Sequence, residues 1–80
     1  MKIEFSKQAV KTIRGMDPVT KDRIKRGILG IPQGDIKMLS GHKGTYRLRV
    51  GNWRILFSWQ ENGIILVEKI GPRGQIYREV

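Results

Sequence analysis

The sequence predicts an α+β domain: two N-terminal helices packed on an antiparallel sheet. Three observations predict it. Residues 46–59 alternate polar and apolar on either side of a Gly51-Asn52 break, the period of strands buried on one face. Residues 6–31 carry apolar residues at helical spacing on one side only, so two short helices need a partner for that side, and the apolar face of the sheet is that partner. The turn signals Gly51-Asn52 and Asn62-Gly63 break the extended region at hairpin spacing, the second being the stronger because Asn-Gly tolerates the positive φ of tight turns.

Taken in order, Lys2 to Phe5 alternates, with Ile3 and Phe5 on one face, and reads as a short strand. Ser6 caps a helix that ends at Gly15, with Ala9, Val10, Ile13 and Met16 as its apolar side. Asp17-Pro18 opens a second helix, since aspartate caps well and proline suits the first helical position. Ile24, Ile28 and Ile31 mark its buried stripe, and Lys21, Arg23, Lys25 and Arg26 lie off it. Gly27 weakens the helix but permits close packing, and Gly30 and Pro32 end it. Residues 33–45 show little periodicity: Gln33-Gly34-Asp35 reads as loop, Ile36, Met38 and Leu39 as tucked onto the core, and Ser40 to Gly44 as a basic loop holding His42 and Lys43.

The next strand puts Tyr46, Leu48 and Val50 on one face and Arg47 and Arg49 on the other; its partner puts Trp53, Ile55, Phe57 and Trp59 on one face and Arg54 on the other. With Gly51 and Asn52 as a two-residue loop, Val50 opposes Trp53 and Arg49 opposes Arg54, so Arg47, Arg49 and Arg54 share the face away from the core. Like charges directly opposite on a sheet cost up to about 1 kcal/mol. Two readings follow: an anion sits among them, or they splay apart on a solvated face and water screens them. With Asn62-Gly63 as a second two-residue loop, Ile64 and Leu66 join the core face, and Ile65, Val67 and Lys69 the arginine face. Glu68 then falls on the core face, a misfit that points to the sheet edge or to a bulge. Gly71 arrives opposite Arg54, Pro72 ends the strand for want of a donor, and Arg73 emerges at the rim of the basic surface.

Eighty residues make one domain, 1–80, with a small core. Sixteen Lys and Arg against seven Asp and Glu give a formal charge of +9, which makes a polyanion the expected partner class: nucleic acid, a ribonucleoprotein or an acidic protein. Cysteine is absent and histidine occurs once, so disulfides and a typical zinc site are excluded, and no paired carboxylates suit two-metal catalysis. No cofactor or metal is expected. With no targeting segment and no membrane-length apolar run, a cytoplasmic protein is expected. Trp53 and Trp59, on the core face, read as packing residues rather than base-stacking platforms.

Tyr46-Arg47-Leu48-Arg49-Val50-Gly51-Asn52-Trp53-Arg54-Ile55 followed by Gly71-Pro72-Arg73-Gly74-Gln75-Ile76-Tyr77 resembles the RelE/ParE superfamily of toxins from toxin–antitoxin systems, the RelE branch most. The resemblance spans nearly the whole chain. It implies two helices on a twisted antiparallel sheet, a cognate antitoxin that wraps the toxin, and a complex that binds operator DNA to repress its own operon. The RelE branch cleaves messenger RNA on the ribosome; the ParE branch instead poisons DNA gyrase. Carried over by motif, the functional positions are Arg47 and Arg49 on the first strand, Arg54 on the second, Arg73 after the sheet and Tyr77 near the C-terminus. Two departures stand out: Pro72 occupies a position where many relatives have histidine, and arginines stand at 47 and 49 where some RelE enzymes use lysine. Arginine holds phosphate well but is a poor base.

The implied reaction is metal-independent cleavage of RNA by its own 2′-hydroxyl. It needs a proton acceptor, stabilisation of charge on the phosphate and help for the leaving oxygen. Guanidinium forks meet the second need. Arg54 and Arg73 are assigned to the reacting phosphate and leaving group, Arg47 and Arg49 to the RNA backbone, and Lys43 and Lys69 to peripheral backbone contacts. Tyr77 is the first candidate for the base, since positive surroundings favour phenolate; packing near the terminus is its plain structural reading. His42 reads as an exposed loop residue. Two alternatives remain beside the endoribonuclease: a ParE-like gyrase inhibitor, and a catalytically weak member that binds nucleic acid or antitoxin.

Overall fold

The computed structural model describes residues 2–39 and 44–72. The order of elements is β1 (Lys2–Phe5), α1 (Lys7–Arg14), α2 (Pro18–Leu29), β2 (Asp35–Met38), β3 (Thr45–Val50), β4 (Trp53–Trp59) and β5 (Ile64–Pro72). The strands form one sheet in the order β1-β5-β4-β3-β2. Strands β2 to β5 pair antiparallel, and β1 adds a parallel edge alongside β5. The expected α+β arrangement, helices on one face of the sheet, is the one found.

Both helices begin and end where their capping residues dictate. Ser6 accepts from the Ala9 amide and Asp17 from the Thr20 amide, each answering a donor that the first helical turn leaves unpaired. Gly15 and Gly30 close the two C-termini. The core lies between helices and sheet, with Ala9, Ile24, Ile28, Ile31, Leu48, Ile55, Phe57, Ile65, Val67 and Ile70 all buried. Gly27 allows α2 to settle on β3: a methyl group there would lie 2.7 Å from Val50 Cγ2.

The outer edge of β5 is completed by α1. Beyond the Phe5–Val67 pair, β1 stops. The Ser6 amide then donates to Val67 O at 2.9 Å, and Ser6 Oγ donates to Glu68 O at 2.6 Å. Two residues on, the Gln8 side-chain amide acts as a surrogate strand residue: its Nε2 donates to Ile70 O at 3.2 Å and its Oε1 accepts from Ile70 N at 3.1 Å. These bonds satisfy backbone groups that an edge would otherwise leave unpaired.

Several sequence expectations need correction. The Asn62-Gly63 hairpin has a three-residue loop, not a two-residue one. Gly63 N donates to Gln60 O and Gln60 N to Ile64 O. Gly63 has φ of 73° while no described non-glycine residue has positive φ, so a type I turn precedes a left-handed glycine. The extra residue slips the register by one near the turn: Ile65 and Val67 face the core at 0% exposure, and Ile64 and Leu66 take the reverse face. An irregularity at Leu56/Phe57 then skips Glu68 and restores the register, so that Leu56 opposes Lys69 and Arg54 opposes Gly71 as expected. Residues 35–38, read as loop and core, form the edge strand β2. Ile36 alone of its apolar residues packs against the core, and Met38 is 61% exposed. Trp53 is only partly buried, and Trp59 is 41% exposed at the far end of the sheet, edge-on to Tyr46 at 6.2 Å.

Candidate nucleic-acid interface

The candidate site is built on the β3–β4 hairpin. Gly51 takes φ of 59° and Asn52 does not have positive φ, so the two-residue turn is of the II′ kind, whose twist matches the strands it joins. Val50 therefore pairs with Trp53 and Arg49 with Arg54. Leu48 and Ile55 point into the core under the helices, so their neighbours Arg47, Arg49 and Arg54 share the opposite face.

Across the sheet two adjacent rows of that face carry the arginines. One runs Asp35, Arg49, Arg54, Gly71; the next runs Lys37, Arg47, Leu56, Lys69. Five cations and one carboxylate thus occupy two adjacent rows. Leu56, 1% exposed, sits between Arg47 and Lys69 and forms an apolar floor.

The like-charge pair Arg49–Arg54 is relieved from within the protein. Arg49 Nε lies 2.6 Å from Asp35 Oδ2, and Arg47 Nη2 lies 3.5 Å from Asp35 Oδ1. Arg54 turns the other way: it is 8% exposed, and its Nη1 donates to Gly51 O and Trp53 O, both at 3.0 Å. Each guanidinium has its own acceptor, so the pairing alone does not require an external anion. Among the described residues no buried side-chain nitrogen or oxygen lacks a partner.

Of the residues singled out in the sequence, Arg47, Arg49, Arg54 and Lys69 come together on this face. Lys43, Arg73 and Tyr77 lie outside the described residues, as does His42. Two residues of the face went unread in the sequence, Asp35 and Lys37. The signal was present in the alternation Asp35-Ile36-Lys37-Met38, but four residues with a single buried position are too few to separate a strand from a loop. An open depression of about 490 Å³ lies on the helix layer, lined by residues including Lys11, Asp17, Thr20 and Trp53; the Thr20 hydroxyl there donates to Asp17 Oδ1 at 2.7 Å as part of the helix cap. Among the described residues no three His, Cys, Asp or Glu side chains group to hold a metal, and no helix is long and apolar enough to cross a membrane.

No family model and no curated protein matches the chain; solved structures do. The chain is similar to the archaeal RelE–RelB complex from Pyrococcus horikoshii, at 27% identity over 92% of this chain and 96% of that one, with a TM-score of 0.74. It is similar to the RelB–RelE antitoxin–toxin complex from Methanococcus jannaschii, at 28% identity over 95% of this chain and 96% of that one, with a TM-score of 0.75. The intact E. coli RelBE toxin–antitoxin complex shares the fold at 17% identity, covering 92% and 98% of the two chains with a TM-score of 0.72.

Proposed function

Since the chain belongs to the RelE-like branch of the RelE/ParE superfamily, we propose that it is the toxin of a toxin–antitoxin pair and an endoribonuclease that cleaves messenger RNA on the ribosome. The observation that carries this reading is the pair of cationic rows on the sheet face away from the helices. Guanidinium forks spaced along antiparallel strands suit successive phosphates of one strand.

In this mechanism the RNA supplies its own nucleophile. The 2′-hydroxyl attacks the adjacent phosphorus, its proton passes to the Tyr77 phenolate, and the bond to the 5′-oxygen of the next nucleotide breaks, that oxygen taking up a proton from water. Arg54 bonds the reacting phosphate through the Nε–Nη2 edge of its guanidinium, while Nη1, bonded to Gly51 O and Trp53 O, fixes the plane of the group. Such preorganised donors are worth most where charge develops. Arg73 acts on the same phosphate or the leaving oxygen. Arg47 and Arg49 hold the neighbouring backbone, with Lys43, Lys69 and Lys37 at the periphery. The cognate antitoxin, the partner in both similar archaeal complexes, would be drawn by a formal charge of +9.

The test is single-turnover cleavage of messenger RNA on programmed ribosomes, with binding assayed separately. Arg54→Ala and Arg73→Ala should lower the rate by roughly 10²-fold or more. Tyr77→Phe should lower the rate with binding intact. Parental rates in all three variants would remove the proposed active site. Relaxed plasmid DNA with intact transcripts after brief induction would favour the gyrase-directed alternative.

A further inference from the structure

One carboxylate stands among the cations of the two rows. Asp35 lies opposite Arg49 on the edge strand and spans two guanidiniums with one oxygen each, Oδ2 to Arg49 Nε at 2.6 Å and Oδ1 to Arg47 Nη2 at 3.5 Å. Two oxygens of a phosphodiester would engage the same two side chains in the same way. The ion pair is reachable: the side chains of Asp35 and Arg49 are 36% and 54% exposed, although that of Arg47 is 13% exposed. Ion pairs this open to water are weak enough for a competing anion to replace.

We propose that Asp35 is an intramolecular competitor for RNA: a resident anion that a phosphate must displace from Arg47 and Arg49, holding the affinity of the face below what its cations would otherwise give. This rests on the reading of the arginine face as the surface that binds RNA. Asp35 also repels the strand directly, because a phosphate on Arg54 or Arg47 stands within a Debye length of it at physiological salt. The consequence is selectivity by context. A free single strand meets a guarded pair of arginines, whereas a strand already held by other contacts displaces the guard at little further cost.

The experiment measures binding of a short 2′-O-methyl oligoribonucleotide, which lacks the attacking hydroxyl, across a salt series. Asp35→Asn should bind about three- to tenfold tighter at low salt, with a salt slope steeper by about 0.7 for each phosphate newly admitted. Asp35→Glu should stay near the parent. Asp22→Asn makes the same change in net charge on α2, where Asp22 pairs with Arg26 at 2.9 Å, and should stay within about twofold. Should Asp35→Asn fail to fold, Asp35→Ser answers the same question. If Arg47→Ala and Arg49→Ala weaken binding while Asp35→Asn binds no tighter than the parent, Asp35 is a positioning residue and the competitor role is wrong. If Arg47→Ala and Arg49→Ala bind as the parent does, the face does not bind RNA, and both readings fall.

Discussion

Arg54→Ala should destabilise the fold as well as any chemistry, and the two effects can be separated. Arg54 is 8% exposed, and its Nη1 holds Gly51 O and Trp53 O at 3.0 Å. A hydrogen bond from a charged donor contributes about 1.5–3 kcal/mol. The exposed turn carbonyl of Gly51 rehydrates on truncation, and the partly buried Trp53 carbonyl does so less completely. The expected loss is therefore about 3 kcal/mol, less than two full bonds. For a domain of this size that corresponds to a fall in Tm of roughly 12–24 °C. Thermal melts followed by circular dichroism measure it. Arg54→Lys keeps the charge but loses the planar fork, so it should melt between parent and Arg54→Ala. Cleavage assayed well below the lowest Tm then reports on catalysis alone. A melt of Arg54→Ala within about 2 °C of the parent would show that the two carbonyl bonds do not hold the hairpin, and the argued anchoring of the guanidinium would fail with them.

Three further outcomes follow from the packing and caps. Gln8→Ala strips both partners from the Ile70 backbone, so the urea midpoint should fall by the equivalent of about 1–2 kcal/mol with unchanged slope, and the Ile70 amide should exchange faster. Gly27→Ala drives a methyl to 2.7 Å from Val50 Cγ2; overpacking of about 1–3 kcal/mol outweighs a helix-propensity gain of about 1 kcal/mol, and pairing it with Val50→Ala in a double-mutant cycle should recover most of the loss. The Thr20 hydroxyl, followed by the Thr20 amide, holds the Asp17 carboxyl below its usual range. A depressed folded pKa gives stability that is present above the unfolded value and lost as pH falls through the folded one. Asp17→Asn keeps a good cap and should flatten that acid limb in denaturation curves at successive pH values.

The β3–β4 hairpin was legible because two independent signals agreed: the Gly51-Asn52 break and the alternation on both sides of it. The β4–β5 hairpin was not, because Gly63 is left-handed in either loop length. The choice rests on φ at Asn62, which the residue type leaves open. Glu68 carried the visible trace, since a charged residue on the core face pointed to the sheet edge or to a bulge, and the bulge is the one found. The compensating bulge then restored Gly71 opposite Arg54, so the site end of β5 was read correctly through an incorrect turn. Asp35 stayed hidden for a different reason. Nothing local distinguishes a loop aspartate from one whose strand is defined only by pairing with β3, so a long-range contact supplied what periodicity lacked. The hairpin register gathered Arg47, Arg49 and Arg54 and led Arg73 to the rim, the resemblance named the same four, and Tyr77 rests on motif alone.

The parallel pairing of β1 with β5 sets the order in which the molecule comes into being. Ser6 and Gln8 bond partners 62 residues further along the chain, and among the described residues β1 has no sheet neighbour besides β5. During synthesis the first strand and first helix are made before β5 and must wait for it to emerge. Strands β2, β3 and β4 can pair as successive local hairpins, but closing the long loop that seats β1 is slow and entropically costly. The two cationic rows are completed by Lys69 and Gly71 on that same last strand. A nascent chain whose β5 has not yet left the ribosome therefore has neither a closed core nor a finished basic face, and both are completed when that strand pairs.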